Sequence, residues 1–228
     1  MKKHTFFLMT SLSLFLAIIS SCKHDKHSHN HNHSGHEFTD KHSVEELVQR
    51  FESPERNSIQ QPQKVLAYLG DIEGKTIMDI GAGTGYFSVK FADKGANVIA
   101  ADVSDEFQNF LKRRINENNI KNIELRKTPY DNPLLKNDEV DIAFIANTYH
   151  HIENRITYFS KVKKGLKKDG ELVVVDFFDI HFPEGVTAPP EGMKVSIDQA
   201  VDELKKSGFS SFDVEVNMMP YQYILRAK

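Results

Sequence analysis

The sequence predicts an α/β protein built on a parallel sheet with helices on both faces. Three observations carry that expectation. Short apolar runs alternate with helix-length amphipathic stretches from about residue 76 onward, the pattern of repeated β-α units. The run Thr76–Ile80 passes into Gly81-Ala82-Gly83-Thr84-Gly85, three glycines at alternate positions, before Phe87 and Phe91 recur at helical spacing. The next apolar run closes on an acidic residue, Asp102, 21 positions after Gly81.

In order along the chain, residues 1–21 have the parts of an export signal. Lys2 and Lys3 are the positive start, Phe6 to Ile19 the apolar middle, and Ser20-Ser21 the small residues before Cys22. The apolar run is short for a membrane span, which needs roughly 20 residues. Residues 22–42 form a polar tether with almost nothing to bury, so it is expected to lack a core of its own. Seven of the eleven histidines fall between His24 and His42, and His27, His29, His31 and His33 alternate with polar residues. Neutral imidazoles in that array are candidate ligands for weak metal binding.

The folded domain is expected over residues 43–228. Ser43 with Glu46 three positions on reads as a capping box. A helix is expected over Gln60–Gly70, with Pro62 in its first turn and Gly70 as its stop. Strands are expected at Thr76–Ile80, Asn97–Ala101, Asn122–Arg126, Val140–Ala146 and Glu171–Phe177. Helices are expected at Gly85–Lys94, Asp105–Asn118, Arg155–Lys167 and Ser196–Ser207, the last stopped by Gly208. Phe212–Met218 and Tyr221–Arg226 read as two strands of a hairpin.

Composition excludes some classes. A net charge of −3 gives no basic footprint, so no nucleic-acid partner is expected. Cys22 is the only cysteine, so the domain holds together without disulfides.

The glycine turn and Asp102 have the geometry that presents an adenosine ligand to bare backbone, with a carboxylate on the ribose hydroxyls. A dinucleotide site needs G-x-G-x-x-G so that pyrophosphate can sit on a helix N-terminus. Here the spacing is G-x-G-x-G, and Asp79 stands before it. A carboxylate there repels a pyrophosphate and suits an ammonium group. S-adenosylmethionine carries an amine, a sulfonium and a ribose but no phosphate, so it is favoured over NAD.

Asp79-Ile80-Gly81-Ala82-Gly83-Thr84-Gly85 resembles the first motif of class I S-adenosylmethionine-dependent methyltransferases. Asp102 matches the acidic end of their second strand. Val140–Ala146 with Asn147-Thr148-Tyr149-His150-His151 resembles their fourth strand and its loop. Leu166-Lys167-Lys168-Asp169-Gly170-Glu171-Leu172 resembles the turn before the fifth. Phe51-Glu52-Ser53-Pro54-Glu55-Arg56, Gln61-Pro62, Pro189–Lys194 and Tyr221-Gln222-Tyr223 resemble a bacterial subgroup acting on small molecules. The resemblance covers about Phe51 to Lys228. It implies a Rossmann-like, doubly wound, seven-stranded sheet, mostly parallel with an antiparallel C-terminal strand.

It also implies S-adenosylmethionine as methyl donor, held by Asp79, Gly81, Ala82, Gly83, Gly85, Asp102, Asp131 and Asn147. Asp131 stands in a stretch, Lys127–Pro133, where many relatives carry the adenine-contacting acid. Tyr149, His150 and His151 lie past a strand's carboxyl end and are the catalytic candidates, a histidine being able to take a proton near neutrality. Asp176 is a further candidate for substrate contact. The implied acceptor is a small molecule or lipid-like compound. The Ile19-Ser20-Ser21-Cys22 ending resembles a bacterial lipobox, which implies lipidation of Cys22 and a membrane-anchored place in the cell envelope. The alternative is an anchored metal-binding lipoprotein whose methyltransferase-like domain is not catalytic.

Overall fold

The computed structural model describes residues 43–184, 186 and 188–228. The signal segment, Cys22 and His27, His29, His31 and His33 lie outside the described residues. Among the described residues no helix is long and apolar enough to cross a membrane.

Three short helices lead in: α1 (Val44–Phe51), α2 (Pro54–Gln60) and α3 (Pro62–Leu69). At α1 the capping box is present in both directions. The Ser43 hydroxyl accepts from the Glu46 N–H, and the Glu46 carboxylate accepts from the Ser43 N–H. The single helix expected over Gln60–Gly70 is shorter and preceded by a second one. Gln61 sits between them at φ 44°, because the residue before a proline is kept out of the right-handed helical region.

The sheet has seven strands: β1 (Thr76–Ile80), β2 (Asn97–Asp102), β3 (Ile123–Lys127), β4 (Val140–Ala146), β5 (Leu166–Phe177), β6 (Phe212–Glu215) and β7 (Gln222–Ala227). Their spatial order is β3-β2-β1-β4-β5-β7-β6. The first five are mutually parallel, and β7 runs antiparallel to both β5 and β6. Between them pack α4 (Tyr86–Asp93), α5 (Asp105–Glu117), α6 (Arg155–Gly165) and α7 (Ile197–Lys206).

Adjacent residues of the central strands point to opposite faces, so both faces must be covered. Phe144, Val173, Val175 and Ile224 pack with Phe87 and Phe91 of α4 and with Val65, Leu66 and Leu69 of α3. Ala143, Ile145, Val174 and Leu225 pack on the other side with Phe159 and Val162 of α6 and Leu204 of α7.

Two strand ends differ from expectation by more than one residue. β5 starts at Leu166 rather than Glu171, and its register with β4 jumps between Val140 and Ile142, so the polar residues Lys167–Gly170 bulge from the ladder. β6 stops at Glu215 rather than Met218, where the Glu215 carboxylate accepts from the Asn217 N–H at 2.6 Å and turns the chain. The strand order reverses at β1, with β2 and β4 on either side. In open α/β sheets that reversal opens a crevice at the strands' carboxyl ends.

Candidate functional site

β1 delivers the chain into Gly81, Gly83 and Gly85 at φ 74°, 55° and 81°, all in the left-handed region. The N–H groups of Gly81 and Ala82 donate to the Ala101 carbonyl at 2.9 and 3.0 Å, which pins the turn to the end of β2. The three glycines serve different needs. A Cβ on Gly81 would fall 2.5 Å from Thr148 Oγ1, and one on Gly85 would fall 2.5 Å from Leu111 Cδ1. A Cβ on Gly83 would meet nothing within 4 Å.

Asp102 ends β2 and is buried. Its Oδ2 accepts from the Gly83 N–H and its Oδ1 from the Ser104 N–H, both at 2.8 Å. Burial raises the carboxyl's pKa, opposed by the N–H groups of Ser104, Gly83 and Val103. The carboxylate therefore sets the shape of the glycine turn as well as facing the space beside it.

That space is a cavity of about 860 Å³, within the usual range of roughly 300–1,000 Å³ for ligand pockets. Gly81, Gly83, Asp102, Thr128, Asp131, Asn147 and His151 are among the residues that line it. Val44, Leu47 and Phe51 of α1 line it with apolar surface, and Phe51 packs on Phe107 of α5 with ring centroids 6.1 Å apart.

Of the residues singled out in the sequence, Gly81, Gly83, Asp102, Asp131, Asn147 and His151 line this one cavity. Asn147 is held at φ 55° and its Oδ1 accepts from Gln222 Nε2 of β7. Asp79, Ala82 and Gly85 are not on the wall.

Asp79 is 3% exposed and accepts from the Ser88 hydroxyl at 2.6 Å. Gly85 is the N-cap of α4 and has no side chain to cap it, so Asp79 faces the helix start in its place. Burial pushes the Asp79 carboxyl up to about 6, against the pull of the Ser88 hydroxyl and N–H.

The loop after β4 divides its three candidates. Tyr149, expected on the substrate side, is fully buried, with its hydroxyl donating to Glu203 at 3.0 Å and its ring on Phe159 at 4.8 Å. Burial drives its phenol far above the ordinary range, so it does not ionise. His150 donates its backbone N–H to Asp176 at 3.1 Å and sets Nδ1 2.8 Å from the same carboxylate. His151 has no side-chain hydrogen bond among the described residues, and its Nδ1 is enclosed without a partner.

One contact was invisible in the sequence. Glu52 Oε1 accepts from the Thr84 hydroxyl at 3.0 Å and from Arg114 at 2.5 Å, while Arg114 also donates to the Thr84 carbonyl at 3.1 Å. The segment Phe51–Arg56 stands out in the sequence, but nothing there says that it clamps the glycine turn.

Residues 78–174 match a family model described as a methyltransferase domain. A tRNA U34 carboxymethyltransferase of Mannheimia succiniciproducens is 26% identical over 174 residues, covering 70% of this chain and 53% of that protein. The chain spans about half, or less, of the length of the curated relatives it matches. A S-adenosylmethionine-dependent methyltransferase from Aquifex aeolicus superposes with a TM-score of 0.73 at 24% identity, over 82% of this chain and 98% of that one. Phosphoethanolamine N-methyltransferase 2 of Haemonchus contortus, solved with S-adenosylmethionine, superposes at 0.59 and 20% identity, over 68% and 38%. The fold is that of the S-adenosylmethionine-dependent methyltransferases.

Proposed function

We propose that this methyltransferase-fold chain transfers a methyl group from S-adenosylmethionine to a small-molecule or lipid-like acceptor. The observation that carries the reading is the cavity at the carboxyl ends of β1, β2 and β4, lined by Gly81, Gly83 and Asp102. The residues present fit the donor. Gly83 leaves open space where any side chain would intrude. Asp102 presents a carboxylate suited to ribose hydroxyls, and Asp131 or backbone groups of the same wall would meet the adenine.

When bound, the donor supplies an electrophilic methyl on a sulfonium. The chain's own part is alignment and exclusion of water, for which Leu47, Phe51, Phe107 and Tyr158 supply apolar wall. Calorimetry on the full chain tests this. Binding of S-adenosylmethionine and S-adenosylhomocysteine is expected between about 1 μM and 1 mM, the usual span of substrate affinities. No heat from either ligand at millimolar concentration overturns it.

The same proposal places the domain at the cell envelope through a lipid on Cys22, supported by the small residues before the chain's single cysteine. Radiolabelled palmitate is expected to enter the wild-type chain and not Cys22→Ala. Equal labelling of the two removes the anchor from the proposal.

A further inference from the structure

His151 touches a second hollow. It measures about 270 Å³, lies against the same turn, and is lined by His150, His151, Arg155, Lys194 and Gln199 among others. The two cavities share His151, Ile152 and Glu153. His151 thus stands at the boundary between the donor cavity and a smaller polar one.

The two neighbouring imidazoles, 4.2 Å apart, are in opposite states of use. His150 is held by Asp176 through both its backbone and its ring. The His151 ring makes no hydrogen bond among the described residues, although its Nδ1 is sealed from water. Buried polar atoms are normally paired, so a sealed nitrogen without a partner calls for an explanation. Because Nδ1 is sealed, a molecule in either cavity meets the ring through Nε2, whose lone pair is free when Nδ1 carries the proton. Burial, with help from His150, lowers the imidazole's pKa to about 4, against the pull of Asp176. The ring is therefore neutral at physiological pH, with a lone pair free to accept a hydrogen bond from an N–H or O–H group.

We propose that His151 takes the proton of the methyl acceptor, and that the smaller cavity holds this acceptor, a small polar molecule reacting through an N–H or O–H group. The inference rests on the larger cavity being the donor site. In the step, a bond forms from the acceptor's nitrogen or oxygen to the methyl carbon. The carbon–sulfur bond breaks with its electron pair left on sulfur, and the acceptor's proton passes to His151, which returns it to water. Asp176 is a positioning residue, fixing His150 and facing the imidazolium that forms.

Size and charge narrow the class. At the ~30 Å³ that a water occupies in the liquid, the cavity has room for about nine waters, the space of a small molecule. The cations on its wall are already engaged. Arg155 donates to both carboxylate oxygens of Glu203, at 2.6 and 2.9 Å, and to the Ile152 carbonyl. Lys194 donates to the Ile180 carbonyl at 2.6 Å and to Glu191 at 2.5 Å. Both cations on this wall are thus already paired with carboxylates, which favours an acceptor without phosphate or carboxylate.

The test uses the full chain with methyl-labelled S-adenosylmethionine and three probes: an aqueous cell extract below 1 kDa, total tRNA, and phospholipid vesicles. Label is expected in the extract, on material that passes through an anion exchanger. His151→Gln is expected to lower kcat by 10²–10⁴-fold, the usual worth of a general base, with S-adenosylhomocysteine affinity by calorimetry within threefold of wild type. Gln199→Trp, which fills the smaller cavity, is expected to raise the acceptor KM at least tenfold. Label in tRNA, in lipid or on the exchanger overturns the acceptor class. An undiminished kcat in His151→Gln overturns its role, and loss of S-adenosylhomocysteine binding in that variant makes it donor-site wall instead. If the wild-type chain itself fails to bind S-adenosylhomocysteine, the donor reading fails, and this inference with it.

Discussion

Gly81→Ala is expected to destabilise the domain by about 3–5 kcal/mol and Gly85→Ala by about 2–4 kcal/mol, while Gly83→Ala costs about 1 kcal/mol and instead weakens donor binding. All three sit at positive φ, where a non-glycine residue costs about 1–2 kcal/mol. The remainder comes from contact. At Gly81 the new Cβ would fall 2.5 Å from Thr148 Oγ1 and 2.9 Å from Thr148 Cβ, so rotating the side chain does not relieve it. At Gly85 it would meet the end of Leu111, which could swing aside were it not fully buried. Overpacking of this kind costs about 1–3 kcal/mol. For a domain of this size each kcal/mol lowers the melting midpoint by roughly 2–4 °C. Gly83 has open space instead, on the cavity wall, so its methyl group would occupy volume the donor needs. A loss of at least tenfold in affinity, about 1.4 kcal/mol, is expected by calorimetry. Thermal melts in which Gly83→Ala proves the least stable of the three would refute this division of labour.

Asp79→Asn is expected to make the ligand-free domain more stable at neutral pH, by about 3 kcal/mol. Its carboxyl titrates near 6 in the folded protein against 3.8 when unperturbed, because burial disfavours the charge. A group whose folded pKa is raised contributes its full stability below the unfolded value. That contribution is lost as pH rises through the folded one. The wild type therefore loses stability relative to the variant between about pH 4 and pH 6, and the gap is constant above. The size follows from the shift at about 1.4 kcal/mol per unit. The asparagine can still accept from Ser88, so the start of α4 keeps its partner. Urea denaturation at pH 4, 5, 6 and 7 reads the gap directly. A flat difference, or one that closes with rising pH, sinks the account.

Much of the fold was legible because periodicity and punctuation are local signals. Ser43 and Glu46 announce α1, Gly81 to Gly85 announce the turn, and the central strands read as apolar runs because both faces are covered. The misplacements came where one residue overrides its neighbours. Pro62 forces Gln61 out of the helix, and Glu215 ends β6 by reaching for the Asn217 N–H. The site was legible as a set of residues but not as orientations. Asp79 and Asp102 both end on the correct side of the sheet, yet one faces α4 and the other the cavity. Tyr149, His150 and His151 are consecutive, yet a tight 3₁₀ turn sends one into the core, one onto Asp176 and one to the boundary between two cavities. Adjacent positions on such a turn diverge by about 120°, and composition cannot say which points where. The Glu52–Thr84–Arg114 clamp joins residues up to 62 positions apart, and no local pattern encodes it.

The placement of β7 between β5 and β6 has a consequence for biogenesis. β6 is made before β7 yet touches the sheet only through it. Until residues 222–227 dock, β5 stands as an open edge whose Leu172-Val173-Val174-Val175 run is wholly buried in the finished protein. An uncapped apolar edge of that kind is a template for pairing with another chain. The folding domain is thus most exposed to misassembly while β5 is formed and β7 has not yet paired with it.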